Sequence, residues 1–265
     1  MYQKHWDFKK LPFENTPDTD FFFQSERHAE TLSRLAYIVG EKKSCGVLTG
    51  VYGTGKTLML KALERDFKKK GFVFSLVVNP RLDDVGILKM ILHDFTGYGV
   101  PKEKEDVLMA LEKFIRETHQ DGKHNVIMID EAHSVDNSAV FEELRLLMNF
   151  QTETRFLLTL IISGQPELLE KISSNKQFGQ RIVLNCELLP LDFKETKDYI
   201  AHRLKTAGCQ EQVFTEEALD LIYQRSAGIP RWINNISNMS LLAGYSKDEK
   251  TVDADLVQEA IESIK

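Results

Sequence analysis

The sequence predicts a parallel α/β domain followed by a small all-helical one, and three observations carry that prediction. Short, near-continuous apolar runs occur at 46–49, 73–78, 126–129 and 156–162, and helical stretches at 57–70, 84–95, 106–119 and 139–150 lie between them. Apolar runs without polar alternation, joined through helices, belong in a parallel sheet covered on both faces. After Pro190 the strand-like runs stop, and four helical segments follow at 193–206, 215–226, 231–243 and 253–264. A chain of 265 residues that is 42% hydrophobic and 28% charged is neither disordered nor of low complexity. It is long enough to bury a sizeable core without disulfide or metal staples.

Taken in order, residues 1–25 hold Trp6, Phe8, Pro12, Phe13 and Phe21, Phe22 and Phe23 with turn residues between them. They show no helical or alternating period and read as a packed N-terminal strap. Residues 26–39 form a helix with Leu32, Leu35 and Ile38 on one face. The run 156–162 carries Thr159 inside an otherwise apolar strand. Thr215, followed by Glu216 and Glu217, and Asp253 have the chemistry of helix N-caps and first-turn acids. The expected organisation is a strap over 1–25, a nucleotide-binding α/β domain over 26–190 and a helical lid domain over 191–265.

Composition also excludes several classes. No apolar run approaches the roughly 18 residues of a membrane span, and the first ten residues lack the apolar stretch of a secretory signal. Cys45, Cys186 and Cys209 are odd in number and form no C-x-x-C pair, so they read as reduced thiols, not a disulfide frame or zinc site. The expected location is cytoplasmic, with no direct membrane insertion. Net charge is −6, and residues 191–265 carry 9 basic against 13 acidic side chains. The bulk field therefore does not attract nucleic acid. Lys68, Lys69 and Lys70 end a helical stretch, where they offset its negative terminus; a local basic patch is the other reading.

The chemistry concentrates at Gly50-Val51-Tyr52-Gly53-Thr54-Gly55-Lys56-Thr57, which fits G-x-x-x-x-G-K-[ST] between a strand and a helix. Glycines let the backbone curl until successive N–H groups face one concavity, and the helix N-terminus adds partial positive charge for phosphate. Gly50, Gly53, Thr54, Gly55 and Leu58 are expected to shape this site, Lys56 to meet the β- and γ-phosphates, and Thr57 to ligate Mg²⁺. The run 126–129 ends in Asp130-Glu131, an acidic pair with the form of a Walker B segment. Asp130 is assigned to the metal and Glu131 to activation of water. Asp130-Glu131-Ala132-His133 also spells the tetrapeptide of one helicase class, but the second motor domain of those enzymes has no counterpart here. Gln165, after the strand that should neighbour 126–129, is placed to orient water. Arg181, before the end of the α/β domain, and Arg231, at a helix start fixed by Pro230, are candidates for the further positive charge that phosphoryl transfer needs.

Together these residues resemble the AAA+ ATPases and, more narrowly, the general secretion pathway protein A (ExeA-type) family. The resemblance runs through Leu11-Pro12-Phe13, Thr16-Pro17-Asp18, Ser163-Gly164-Gln165-Pro166-Glu167-Leu168, Gln180-Arg181-Ile182 and Gly228-Ile229-Pro230-Arg231. It implies sensor roles for Gln165 and Arg231, and an arginine finger in Arg181 that reaches a neighbouring subunit's nucleotide. The active form would be a ring or helical homo-oligomer, such as a hexamer, with ATP and Mg²⁺ at its interfaces. Secretion members continue into a transmembrane helix and a peptidoglycan-binding domain, whereas this sequence stops at Lys265; a complete short protein and an isolated ATPase domain both fit. The resemblance implies a client among secretion or pilus assembly proteins, reached at the inner face of the inner membrane through partners. The alternative is a DNA-associated regulator, because transposon target-selection ATPases have similar cores and assemble on duplex DNA. Lysines between 61 and 70, repeated around an oligomer, would serve that role.

Overall fold

The computed structural model describes residues 2–209 and 211–264. Met1, Gln210 and Lys265, which the expected strap and lid ranges include, lie outside the described residues. Two compact units are present: Ala29–Tyr52 with Met59–Leu188, and Met1–His28 with Gly53–Leu58 and Leu189–Lys265.

The first unit is built on a sheet of five strands among the described residues: β1 (Cys45–Thr49), β2 (Phe72–Val77), β3 (His124–Ile129), β4 (Leu158–Gly164) and β5 (Ile182–Glu187). Their order is β2-β3-β4-β1-β5, and every neighbouring pair is parallel. β1, β3 and β4 are buried along their whole length, which is why the sequence writes them as unbroken apolar runs. β5 differs. It has one neighbour, and Val183, Asn185 and Glu187 are exposed along it, so its composition gives no continuous apolar signal. The sequence reading contains no strand there. β4 also starts at Leu158, later than expected, and runs on to Gly164; Phe156 instead makes an isolated antiparallel bridge to Gln151.

Helices fill the connections: α1 (Glu26–Gly40), α2 (Lys56–Lys68), α3 (Asp84–Thr96), α4 (Lys104–Gln120), α5 (Ser138–Leu147), α6 (Glu167–Ser174) and α7 (Lys176–Gly179). The Asp83 side chain caps α3 by accepting from the Gly86 N–H at 2.6 Å, and Gly97 ends it with φ +75°. On α4, Val107, Leu111 and Ile115 recur every four residues and are buried. The α6 and α7 segments are too short to show a helical period and were not expected from the sequence.

At the edge where the strands begin, Thr159 explains its place in an apolar strand. Its hydroxyl donates to the Lys43 carbonyl at 2.7 Å and accepts from His124 Nε2 at 2.9 Å. His124 Nδ1 is buried with no hydrogen-bond partner among the described residues.

The second unit is helical: α8 (Phe193–Thr206), α9 (Glu216–Ser226), α10 (Pro230–Ser246) and α11 (Ala254–Ser263). Asp192 and Glu195 form a reciprocal capping box at the start of α8. Residues of the aromatic strap are part of this core, with Trp6, Phe8, Phe13 and Phe21 buried against Ile200, Phe214, Ile222 and Leu241. Arg203, only 3% exposed, ties the strap down. Its guanidinium donates to the carbonyls of Pro12 (2.5 Å) and Glu14 (2.8 Å) and lies 4.6 Å from the Phe21 ring. A buried cation is tolerated when its donors are satisfied in this way. Gly228 has φ +73°, and a Cβ there would sit 1.8 Å from the Leu191 carbonyl oxygen, so no other residue fits.

Burial, and then the charges of Lys42 and His119, push the His124 pKa down from 6.5 to about 3. Between those values the unfolded chain takes up a proton that the folded one refuses. The stability due to neutral His124 is therefore complete above pH 6.5 and is lost as the pH falls toward 3, by up to about 1.4 kcal/mol per pH unit. Urea unfolding between about pH 6 and pH 4 should show a shallower loss of stability for His124→Gln than for the wild type. Equal slopes would remove His124 as the cause.

Candidate functional site

The loop after β1 turns on two glycines. Gly53 has φ +90° and Gly55 φ +101°, a region that glycine enters without steric penalty. Their surroundings differ. A Cβ on Gly55 would meet nothing within 4 Å, so the demand there is on the backbone alone; one on Gly53 would lie 2.9 Å from Arg231 Cβ and 3.0 Å from Ile229 Cγ2. The Arg231 N–H donates to the Gly53 carbonyl at 3.2 Å. Pro230 occupies the first position of α10, so the backbone at Arg231 is pre-set for the helix. Gly53 and Arg231, separate candidates in the sequence, are thus neighbours in the helical unit. Thr54 is fully buried and Lys56 is 4% exposed. Lys56 opens α2, and Thr57 and Leu58 follow in its first turn. An ammonium buried at the positive end of a helix calls for anionic neighbours.

The acidic pair lies in the sheet unit. The Asp130 N–H donates to the Val77 carbonyl at 2.8 Å, extending the β2–β3 ladder by one residue, and Asp130 is 1% exposed. Glu131 then takes φ +52°, ψ +32°. A left-handed conformation costs a non-glycine residue about 1 kcal/mol or more and is retained where a side chain must be aimed. The Glu131 N–H donates to Asp130 Oδ1 at 3.0 Å. Gln165 follows β4, the strand paired with β3, and meets Glu131 through a residue to which the sequence reading gave no role. His133 Nδ1 lies 3.4 Å from Glu131 Oε2, and its Nε2 lies 2.9 Å from the Gln165 side-chain amide. Lys171, another residue missed, donates to the carbonyls of His133 (2.5 Å) and Val135 (2.7 Å) and fixes this turn. In the sequence, His133 stands out only by standing two residues after the acidic pair; Lys171 leaves no signal.

Arg181 is not brought to this group. It enters β5 from the opposite edge of the sheet, where its guanidinium donates to Asn149 Oδ1 at 2.8 Å and its carbonyl accepts from Ser44 Oγ at 2.8 Å. Glu131 and Gln165 follow the carboxyl ends of β3 and β4, whereas Arg181 precedes the amino end of β5. The registers β1–β4 and β1–β5 put about six residues of strand between these levels, roughly 20 Å.

The donor set fits a magnesium nucleotide. Two left-handed glycines form the turn a phosphate cradle needs, and Lys56 and a helix N-terminus supply positive charge. Among the described residues no three His, Cys, Asp or Glu side chains converge on one point.

A turned phosphate loop after a buried strand, an acidic pair closing a second strand and a parallel sheet between helices define a P-loop ATPase of the AAA+ class. Residues 39–172, just over half the chain, match the AAA domain family, and the protein belongs to that family. It is 33% identical over 269 positions to General secretion pathway protein A of Aeromonas hydrophila, covering 99% of this chain and 48% of that protein. The chain therefore spans about half the length of that relative. Two solved structures share the fold: the Aeropyrum pernix ORC2 protein in ADPNP–ADP complexes (TM-score 0.72, 16% identity, 97% of this chain and 72% of that one) and Drosophila ORC bound to DNA (TM-score 0.75, 19% identity, 100% and 66%). Among the described residues no helix is long and apolar enough to cross a membrane.

Alanine at the two glycines separates backbone strain from crowding. Gly55→Ala should cost about 1 kcal/mol, from φ alone, whereas Gly53→Ala must also displace Ile229 or Arg231 and should cost about 2 kcal/mol or more. Chemical denaturation of both variants checks this; equal losses would mean that the contact with the start of α10 does not constrain the loop.

Proposed function

We propose that this protein hydrolyses ATP within a homo-oligomeric ring or helix, such as a hexamer, and uses the cycle to assemble or remodel a partner of a secretion or pilus machine. The observation that carries the ATPase part is the pairing of a glycine-turned loop between β1 and α2 with a strained Glu131 closing β3 of the same sheet. The client rests on the 33% identity to General secretion pathway protein A. A partner would hold the protein at the inner face of the inner membrane. In this reading 1–25 straps the fold, 26–190 carries the nucleotide and 191–265 acts as the lid.

Bound Mg-ATP supplies the γ-phosphoryl group that is transferred to water. Backbone N–H groups from Gly50 to Leu58, those of Gly53, Thr54 and Gly55 included, hold phosphate oxygens, and Lys56 offsets their charge. Thr57 and Asp130 would hold the magnesium ion. Glu131 orients the attacking water and accepts its proton, Gln165 fixes the water's direction, and Arg231 presents a second cation from the start of α10. Arg181 stands at the far edge of its own sheet, roughly 20 Å from the level of Gln165. That distance supports a role in a neighbouring subunit's site, where an arginine supplied in trans stabilises charge during transfer.

Three variants and one mixture test the assignment. Lys56→Ala should abolish nucleotide binding or nearly all turnover. Glu131→Gln should bind ATP but lose turnover about 10²- to 10⁴-fold. Arg181→Ala should bind normally and lose about 10³-fold or more. Mixing Arg181→Ala with Glu131→Gln should restore part of the activity, because some junctions then pair an intact Glu131 with an intact Arg181. No recovery in mixed oligomers would remove Arg181 from the trans role.

A second reading, a DNA-associated regulator, is favoured by one observation. Each strand is entered from a segment carrying Lys or Arg: Lys42 and Lys43 before β1, 68–70 before β2, Lys123 before β3, Arg155 before β4 and Arg181 before β5. With strands about 4.8 Å apart this edge spans roughly 19 Å. Glu41, Asp121 and Glu153 share it, and part of its charge offsets helix C-termini. Duplex DNA that stimulates hydrolysis at low salt, with an effect falling steeply as salt rises, would favour this reading. A rate indifferent to DNA would leave the secretion client.

A further inference from the structure

We infer that His133 is a positioning residue that couples Gln165 to Glu131, so that the orientation of the Gln165 amide decides whether the Glu131 carboxylate is held or released. The inference rests on the roles proposed above for these two residues, and its four groups all lie in the sheet unit.

The geometry sets up a choice at Nδ1. That atom lies 3.4 Å from Glu131 Oε2 and 3.3 Å from the backbone nitrogen of Gln165. The carboxylate can only accept and the backbone N–H can only donate, so Nδ1 must carry a hydrogen for one and a lone pair for the other. It cannot serve both. The opposite ring nitrogen resolves the conflict, because Nε2 is 2.9 Å from the Gln165 side-chain amide. With the NH₂ of that amide facing the ring, Nε2 accepts and the hydrogen of a neutral imidazole sits on Nδ1, the ring atom 3.4 Å from Glu131 Oε2. With the amide turned by half a rotation, its oxygen faces the ring and Nε2 carries the hydrogen. Nδ1 then accepts from the Gln165 backbone N–H and offers Glu131 only a lone pair. The hydrogen leaves one nitrogen for water while the other gains one, so the ring's charge is unchanged. The His133 side chain is 19% exposed, enough for water to reach it.

The surroundings of the ring are closely packed. A Cβ on Gly164 would lie 3.1 Å from the His133 backbone nitrogen and 3.3 Å from Nδ1, so the glycine admits the ring and leaves it no slack on that side. Lys171 holds the His133 and Val135 carbonyls from below. The NH₂ group is the only donor on the Gln165 side chain. If Gln165 faces the terminal phosphate, that anion draws the NH₂ outward and leaves the oxygen on His133. Glu131 is then released for its water only while a triphosphate is in place. Without it, Glu131 is held by Nδ1–H.

The test is ¹⁵N NMR of the imidazole in the full chain, with His133 assigned by its loss in His133→Gln. Spectra are taken without nucleotide, with Mg-ADP and with a non-hydrolysable Mg-ATP analogue. We expect the Nδ1–H tautomer in the first two states and the Nε2–H tautomer with the analogue; one tautomer throughout would overturn the coupling. Kinetics give a second arm. His133→Ala and Gly164→Ala should each lower kcat about 10- to 100-fold by misplacing Glu131, while the dissociation constant for the analogue stays within about threefold. Unchanged kcat in both, in a protein whose wild type hydrolyses ATP and whose Glu131→Gln variant does not, would sink the inference and leave the ATPase reading standing. Full turnover in Glu131→Gln would instead sink the role of Glu131 itself, and the NMR arm reads the tautomer independently of turnover.

Discussion

The shared direction of the sheet strands is the constraint on which the placement of the candidate groups depends. Because neighbouring strands run parallel throughout β2-β3-β4-β1-β5, their carboxyl ends lie along one edge. The phosphate loop leaves β1 at that edge, Asp130 and Glu131 leave β3, and Gln165 leaves β4. No long excursion of the chain is needed to bring Glu131 and Gln165 together; parallel pairing of β3 with β4 does it, at the carboxyl ends of the strands. The same direction sends whatever precedes a strand to the other edge. Arg181 and the basic segments gather there for that reason, and a single arginine can be excluded from its own chain's acidic group by topology alone.

What could be read in the sequence follows from how deeply each element is buried. β1, β3 and β4 are enclosed on both faces, so selection for apolar side chains acts on every position and the runs are visible. β5 is held by one neighbour and has solvent on alternate positions, and its Asn185 and Glu187 look like loop residues. The phosphate loop was legible because its demands are on backbone shape and can be met by few residue types. Gly53 and Gly55 bear this out in different ways, one through crowding and φ, the other through φ alone. His133 and Lys171 were not legible in the same way. Their role comes from a turn that places a histidine between two strand ends, a relation between β3 and β4 that spacing along the chain does not encode.

The helical unit shows the same limit. Its α8–α11 helices announced themselves through caps and period, but the strap looked like an aromatic tail without regular structure. Trp6, Phe8, Phe13 and Phe21 are core residues of that unit. What fixes them is Arg203, whose planar guanidinium reaches two strap carbonyls at once and stacks near Phe21. Lysine has one ammonium centre in place of this fork and would leave part of the set unmet. In sequence, Arg203 is one charged residue on an amphipathic helix; its value depends on carbonyls some 190 residues earlier.

Fold and chemistry are thus specified at different levels. Solved structures at 16% and 19% identity keep the architecture, which shows how little of the sequence the sheet and its helices require. The acidic edge requires more. Glu131 stays in a left-handed conformation that costs stability, Gly164 gives up a side chain so that His133 can approach, and Lys171 is committed to two backbone carbonyls. None of these choices improves the core. Because Nδ1 of His133 can serve only one of its two neighbours at a time, the coupling inferred above would make this site a two-state element. In that inference the imidazole between Glu131 and Gln165 has two such arrangements, exchanged by a half-turn of the Gln165 amide. That makes it better suited to reporting a change in one neighbour to the other than to holding either permanently.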